Sequence, residues 1–393
     1  MNFLKNIRFK NKPVLIRVDF NVPLNKDLEI TDDSRIVAAL PTIKHVLGSG
    51  AKIVLVSHLG RPKGVDKTLS LLPVSKKLSK LLDKPVIFLN DCVGENIENS
   101  IKSGGAGDIF LLENLRFYKE ETKGDYSFSK KLSRLADVYI NDAFGTSHRA
   151  HASTHGVVEH FQNEKYCGLL LEKEIINLNK VFHQNNSPSI AIIGGAKISS
   201  KIDVLFSLMN CVDKIIIGGG MAYTFIRALG GGVGASLFEK DKVNAAKEIL
   251  NFSKEKGVSI LLPVDSINSN SFSNEISSST NIFNIPDKEM GLDIGPKSIA
   301  LFEKEILLAK NIIWNGPMGV FEFSNFSNGT RLVGEAVANS TKKGSYSLIG
   351  GGDSVAAIKK YNLENQVSYI STGGGAMLEF LEGKELPALK ALL

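Results

Sequence analysis

Short apolar runs alternate with amphipathic stretches along most of the chain. Residues 13–18, 51–57, 85–89, 109–112 and 138–140 are rich in Val, Ile, Leu and Phe and read as strands. Between them, a segment opened by Asp33 or Ser34 and the stretch 71–82 carry helical periodicity, the latter with Pro73 near its start. The pattern then repeats. Residues 169–181 read as a long helix, followed by strands at 190–193, 214–217, 259–262, 311–314 and 345–349, with helices at 242–256, before Ala309 and from Thr330. Strands alternating with helices predict right-handed βαβ units and mostly parallel sheets, hence an α/β fold.

In such sheets the turns beyond the carboxyl ends of the strands share one edge, and ligands gather there. In the first half these turns carry Asp19 and Asn21, His58 and Arg61, Arg116, and His148 with Arg149. Arg35 stands in the first turn of the following helix. An arginine fork matches a phosphate or carboxylate through two hydrogen bonds, so their recurrence at one edge predicts an anion site. Taken singly, each has a plainer reading: a surface ion pair for an arginine, a structural role for His58 or His148, a local salt bridge between Asp19 and Arg17.

The second half repeats a different turn. Residues 190–201, IAIIGGAKISSK, run from an apolar strand through Gly194 and Gly195 to Lys197 and Lys201, a design suited to phosphate. Ser199 and Ser200 read as the N-cap of the next helix. Comparable glycine turns follow Ile217, Trp314, Ile349 and Ile370, bringing in Gly219, Asn315 and the run Gly350-Gly351-Gly352-Asp353-Ser354. A carboxylate among phosphate-binding glycines implies an intervening cation such as Mg²⁺, or else a simple N-cap at Asp353. Glu322 reads as an acceptor for ribose hydroxyls or as a surface carboxylate. The cluster 230–234 reads as a turn, and the Ser/Asn-rich stretch 266–281 as a surface excursion without chemistry.

At 393 residues the chain exceeds one ordinary core, which predicts two domains. Charge sharpens the picture: residues 1–168 hold 25 Lys+Arg against 19 Asp+Glu and the remainder 22 against 22, so the net charge of +6 resides entirely in the first part. The arginines occupy separate loops and do not form a basic stripe with interleaved aromatics, which favours a small acidic ligand over nucleic acid. Three cysteines and no long apolar run predict a reducing, cytoplasmic setting without membrane contact. P-loop, complete dinucleotide fingerprint and protein-kinase signatures do not occur, and neither does a zinc spacing. A nicotinamide dehydrogenase therefore lacks its glycine signature, whereas a non-catalytic anion-binding protein stays open.

IRVDFNVP, SHLGRP, LLENLRF, NDAFGTSHRAH, IGGAKISSK, IGGGMAYTF, MGLDIGP, WNGPMGVFE, GGGDS and STGGGAMLEFLEGKELP occur in that order over nearly the whole chain. By these ten segments it closely resembles the phosphoglycerate kinase family. The resemblance implies two doubly wound, Rossmann-like parallel-sheet domains facing across a hinged cleft. It implies residues 1–168 plus 378–393 binding phosphoglycerate, residues 169–377 binding nucleotide, and an interdomain helix at about 169–183. It further implies a monomer that moves a phosphoryl group reversibly between 1,3-bisphosphoglycerate and MgADP, giving 3-phosphoglycerate and MgATP. Asp19, Asn21, Arg35, His58, Arg61, Arg116, His148 and Arg149 fall on the phosphoglycerate positions. Lys197, Lys201, Gly219, Gly291, Asn315, Glu322, Gly350, Gly351, Gly352, Asp353 and Ser354 fall on the nucleotide positions, with Asp353 on the metal and Arg35 and Lys197 catalytic. Two departures are visible: Lys288-Glu289-Met290 replaces an expected Gly-Trp-Met beside the adenine pocket, and Ser354 stands where Thr is common.

Overall fold

The computed structural model describes residues 1–5, 7–182 and 187–393. The chain divides into two compact units, Met1–Ile176 with Glu385–Leu393, and Asn177–Lys384. The helix Leu169–Asn179 carries the chain from the first unit into the second and continues as a 3₁₀ turn, Lys180–Phe182. Position 183, the expected end of the connecting helix, lies outside the described residues. The return falls at Glu385, later than the position 378 implied by the resemblance. The physical reason is local: the helix Gly375–Leu381 packs on the helix Ile202–Leu208, and Lys384 pairs with Asp203 at 3.3 Å.

In the first unit, β1 (Pro13–Arg17), β2 (Lys52–Val56), β3 (Ile87–Leu89), β4 (Ile109–Leu112), β5 (Val138–Asn141) and β6 (Lys165–Cys167) form one sheet in the order β3-β4-β2-β1-β5-β6. Every neighbouring pair is parallel. Val14 and Ile16, Ile53 and Leu55, Ile109 and Leu111, and Val138 and Ile140 share one face by the strand period of two. That face buries Ile36, Ala39, Ile43 and Val46 of the helix Ser34–Gly48. Each Val, Ile or Leu side chain contributes about 1.5–3 kcal/mol on burial, which fixes the sheet that carries the loops.

The second unit has a parallel sheet of its own, in the order β10-β8-β7-β15-β16-β17. Its strands are β7 (Ser189–Ile193), β8 (Lys214–Ile217), β10 (Ser259–Leu261), β15 (Asn311–Asn315), β16 (Tyr346–Ile349) and β17 (Tyr369–Ile370). Two small sheets accompany it: β9 (Gly232–Val233) pairs with β13 (Asn284–Ile285), and β11 (Asp265–Ser269) lies between β12 (Ser278–Asn281) and β14 (Met290–Ile294). Ile190, Ile192, Ile312 and Trp314 pack against Phe302, Ile306, Val333 and Val337 of the helices Pro296–Leu308 and Asn328–Lys342. Both sheets are wound outward in two directions from a central strand, so the α/β, doubly wound expectation holds for each unit.

Three local expectations are corrected. Residues 266–281 are not an excursion: β11 and β12 lie there, and the buried Asp265 carboxylate accepts from Lys297 N at 2.9 Å and Ser298 N at 2.8 Å, capping the helix Pro296–Leu308. The Ser/Asn composition hid a pair of strands whose polar side chains bond to one another. Residues 230–234 include β9, held by its parallel partner β13. Ser199 and Ser200 do not cap a helix. They lie in the 3₁₀ turn Ile198–Ser200, where Ser199 N donates to Glu239 at 2.9 Å and Ser200 Oγ to Lys197 O at 3.0 Å.

Candidate functional site

Because β1, β2, β4 and β5 are parallel, their following loops leave the same edge of the first sheet. Arg35 Nη1 donates to Asp19 Oδ2 at 2.8 Å, and Asn21 N donates to Asp19 Oδ1 at 3.2 Å. Asn21 Oδ1 accepts from Gly60 N at 2.8 Å, and Gly60 O accepts from Arg116 Nη1 at 2.6 Å. Three loops and one helix start, distant in sequence, thus join in one network, with Asp19 paired to Arg35 and not to the neighbouring Arg17. Beside it lies a cavity of about 620 Å³ walled by Arg61, Arg116, Arg149 and His151, together with Lys63 and Lys119. Asp19, Asn21, Arg35, His58 and His148 are not among its walls: the first three belong to the network, His58 lies against Arg17, and His148 acts electrostatically on His151.

Electrostatics mark this cavity as built for an anion. Burial first, and then Arg17, Arg116 and Arg35, hold His58 well below the ordinary imidazole range. Burial, followed by Arg17, Arg116 and Arg149, holds His151 down to about 4. Both rings are therefore neutral at pH 7 within a cluster of guanidinium groups, and the positive charge left there awaits an anionic partner. Arg17 and His151 were not singled out from the sequence. A charged residue closing an apolar strand, and the second histidine of HRAH, were the available signals.

In the second unit the loops after β7, β8, β15 and β16 interlock. Gly194 N donates to Asn315 O at 2.9 Å, Gly195 N to Pro317 O at 3.1 Å, Gly219 N to Met318 O at 3.0 Å and Gly350 N to Trp314 O at 2.9 Å. A Cβ on Gly194 would meet Pro317 O at 2.1 Å, so only glycine permits this approach. Gly219 adopts a φ of 66°, in the left-handed region that glycine enters without strain.

These loops border a cavity of about 510 Å³. Gly219, Gly291, Glu322 and Asp353 line it, and its apolar walls include Tyr223, Leu237, Phe272, Met290, Leu292 and Val320. Asn315 and Ser354 are buried beneath the loops: Asn315 Nδ2 donates to Gly350 O at 2.9 Å and its Oδ1 accepts from Lys201, while Ser354 Oγ accepts from Gly316 N at 2.6 Å. Burial lowers the Lys201 ammonium, against the pull of Asp353 and Glu382. Lys197 is exposed at the start of its 3₁₀ turn. Gly351 N-caps the helix Gly352–Lys360, which places Asp353 in its first turn and not at the cap. Of the departing tripeptide, Met290 lines the cavity, whereas the Glu289 carboxylate is held by Ser278 and Asn268 of β12 and β11. The apolar walls were not anticipated as site residues because they come from a helix, strands and loops far apart in sequence, and nothing local marks an apolar side chain as facing a ligand.

Among the described residues no helix is long and apolar enough to cross a membrane, and no group of three His, Cys, Asp or Glu side chains forms a metal cage.

A family model described as phosphoglycerate kinase matches residues 4–384. The phosphoglycerate kinase of Dictyoglomus turgidum is 53% identical over 390 residues, covering 99% of this chain and 97% of that protein. That of Thermosipho africanus is 51% identical over 392 residues, with 99% and 97% covered. Among solved structures, phosphoglycerate kinase from Coxiella burnetii superposes with a TM-score of 0.88 at 42% identity, covering 99% of this chain and 98% of that one. The Pyrococcus horikoshii OT3 enzyme does so with a TM-score of 0.86 at 35% identity, covering 100% and 98%.

Proposed function

The chain belongs to the phosphoglycerate kinase family and is a glycolytic phosphotransferase; on that premise we propose that the arginine-walled cavity of the first unit is its phosphoglycerate half-site and the apolar cavity of the second its nucleotide half-site. The observation that carries this reading is the contrast between the two. One cavity carries five cations and the neutral His151 against the single carboxylate of Glu120, as a small acid requires; the other offers a slot for a base, with Glu322 and Asp353 among its few polar walls.

In this reading Arg61, Arg116 and Arg149 hold the phosphate of phosphoglycerate, with Asp19, Asn21, His58 and His148 ordering the loops around its carboxyl end. Tyr223, Phe272 and Met290 enclose the base, and Glu322 accepts from the ribose. Lys201 and the glycine loops face the nucleotide phosphates. Mg²⁺ fits the donor set: one exposed carboxylate, Asp353, at a helix start beside glycine loops suits an ion that takes one or two carboxylates and completes its shell with phosphate oxygens. When bound, the ion neutralises nucleotide phosphate charge.

Phosphoryl transfer asks little covalent chemistry of the protein, so positioning and charge stabilisation dominate. Arg35 and Lys197 flank the moving phosphoryl group, and no side chain serves as a nucleophile. Direct in-line transfer requires both ligands to meet away from water, which calls for closure of the two units about a hinge before reaction. We assign the enzyme to the cytoplasm and take it to act as a monomer; sedimentation of the purified protein checks the oligomeric state, and fractionation of cells checks the location.

The deciding experiment couples ATP formation from 1,3-bisphosphoglycerate and MgADP to a spectroscopic readout, with each ligand also titrated alone. Turnover supports the assignment. Binding of both ligands without turnover leaves a non-catalytic anion-binding protein.

A further inference from the structure

Glu121 is fully buried in the short helix Lys119–Lys123, downstream of Arg116, and both oxygens of its carboxylate accept from one residue. Ser153 N donates to Glu121 Oε2 at 2.9 Å, and Ser153 Oγ to Glu121 Oε1 at 2.6 Å. The Glu121 carbonyl also accepts from Ala152 N at 2.9 Å, so the segment that carries Arg149 and His151 is clamped to this one glutamate. Ser153 Oγ in turn accepts from Arg17 Nε at 2.8 Å, and Tyr139 Oη donates to Ser153 O at 2.9 Å. Arg17 is only 1% exposed, and its Nη2 lies 3.2 Å from His58 Nδ1. A guanidinium can only donate, so Nδ1 of His58 accepts and the ring proton sits on Nε2.

We infer that Glu121 is a positioning residue of the phosphoglycerate half-site, holding Arg17 through Ser153 so that His58 keeps one tautomer, and standing behind His151 as the counter-charge for the imidazolium that forms when an anion enters the cavity. The inference rests on the half-site assignment above. His151 Nδ1 is buried without a hydrogen-bond partner among the described residues and lies 3.9 Å from Glu121 Oε1. Arg17, Arg116, Arg149 and His148 disfavour protonation of this ring, and His151 in turn disfavours protonation of His58. An anion against the cationic wall reverses that balance, and Glu121 is the carboxylate in place to receive the new N–H.

The role makes a distinctive demand. Removing the negative charge of Glu121 leaves the cavity more positive, so electrostatics alone predicts that E121Q binds phosphoglycerate as tightly as the parent or more tightly. A positioning role predicts the reverse. Calorimetric titration of the full chain with 3-phosphoglycerate is expected to show roughly a tenfold or greater loss of affinity in E121Q, the range for a severed hydrogen bond to a charged group, with ADP affinity unchanged. Titration at pH 6 in two buffers of different ionisation enthalpy is expected to show less proton uptake by E121Q than by the parent; the ligand's own ionisation cancels in that difference. S153A, which keeps the charge but cuts the bridge, is expected to lose affinity as well. On the parent protein, imidazole ¹⁵N shifts at pH 7 are expected to show His58 neutral with its proton on Nε2. A folded E121Q with parental affinity and proton uptake overturns the inference, and so does a proton on His58 Nδ1, which needs no variant to detect. If the parent itself does not bind 3-phosphoglycerate, it is the half-site assignment that fails.

Discussion

Arg35 donates to Asp19 at 2.8 Å, and the two partners differ in burial: the carboxylate is 9% exposed and the guanidinium 34%. Asp19 is thus a fixed anchor, and Arg35 a cation aimed by it while still reachable from solvent. An aimed cation that meets the phosphoryl group only during transfer stabilises the transition state more than either ligand. R35A is therefore expected to lower kcat by about 10²-fold or more, with the Kd of each ligand changed far less. Steady-state kinetics beside direct titrations measure the split, and an unchanged kcat removes Arg35 from this role.

Asp353 stands in the first turn of the helix Gly352–Lys360 and borders the second cavity. D353N keeps the shape and removes the charge. Nucleotide binding in the presence of Mg²⁺ is expected to weaken, while nucleotide binding in chelator and 3-phosphoglycerate binding stay near parental values. Equal losses for both ligands would show that the division into two half-sites is wrong.

Much of this was legible in the chain. The apolar runs marked the strands of both large sheets except the short β6, β17 being marked only by the glycine turn after Ile370, because a strand buried between helix layers is predominantly apolar. The arginines were legible as a group because parallel strands send their following loops to one edge. Other features were hidden for physical reasons. Phe272 sits in a Ser/Asn-rich stretch, and nothing local reveals that β11 and β12 bring it to a cavity wall. Glu121 and Ser153 are distant in sequence and meet only through tertiary packing. Ser199 and Ser200 looked like a cap, but Glu239, distant in sequence, takes Ser199. Each miss is a case in which a contact of long sequence separation outweighed a local propensity.

Phe272 is 66% exposed and meets Phe323 in a tilted contact, the ring centroids 5.1 Å apart and the planes at 53°. F272A should consequently cost little stability, since surface truncations usually fall within about 0.5 kcal/mol. If the slot takes the base, the same change weakens ADP and ATP binding several-fold and leaves 3-phosphoglycerate binding untouched, which titration of both ligands measures. Parental nucleotide affinity in F272A places the base elsewhere.

The buried Asp293 carboxylate accepts from Gly329 N at 2.8 Å and Ile294 N at 2.9 Å, tying the strand β14 to the start of the helix Asn328–Lys342. Burial pushes this carboxyl from an ordinary 3.8 up to about 7; the two N–H bonds pull downward and do not prevail. The native protein accordingly keeps a proton that the unfolded chain releases between about pH 4 and about pH 7. The contribution of Asp293 to stability is then greatest below the unfolded value and declines as pH rises through the folded one. Asn cannot titrate, and its NH₂ cannot accept from Gly329 or Ile294, so D293N is expected to be less stable than the parent at pH 5. The deficit should shrink between pH 5 and pH 8, since only the parent loses stability there through this group. His58 and His151, lowered in the native protein, act in the opposite direction but equally in both proteins, and cancel from the difference. Urea unfolding of both at pH 5, 6.5 and 8 measures it, and a deficit independent of pH would mean that Asp293 is ionised throughout in the native fold.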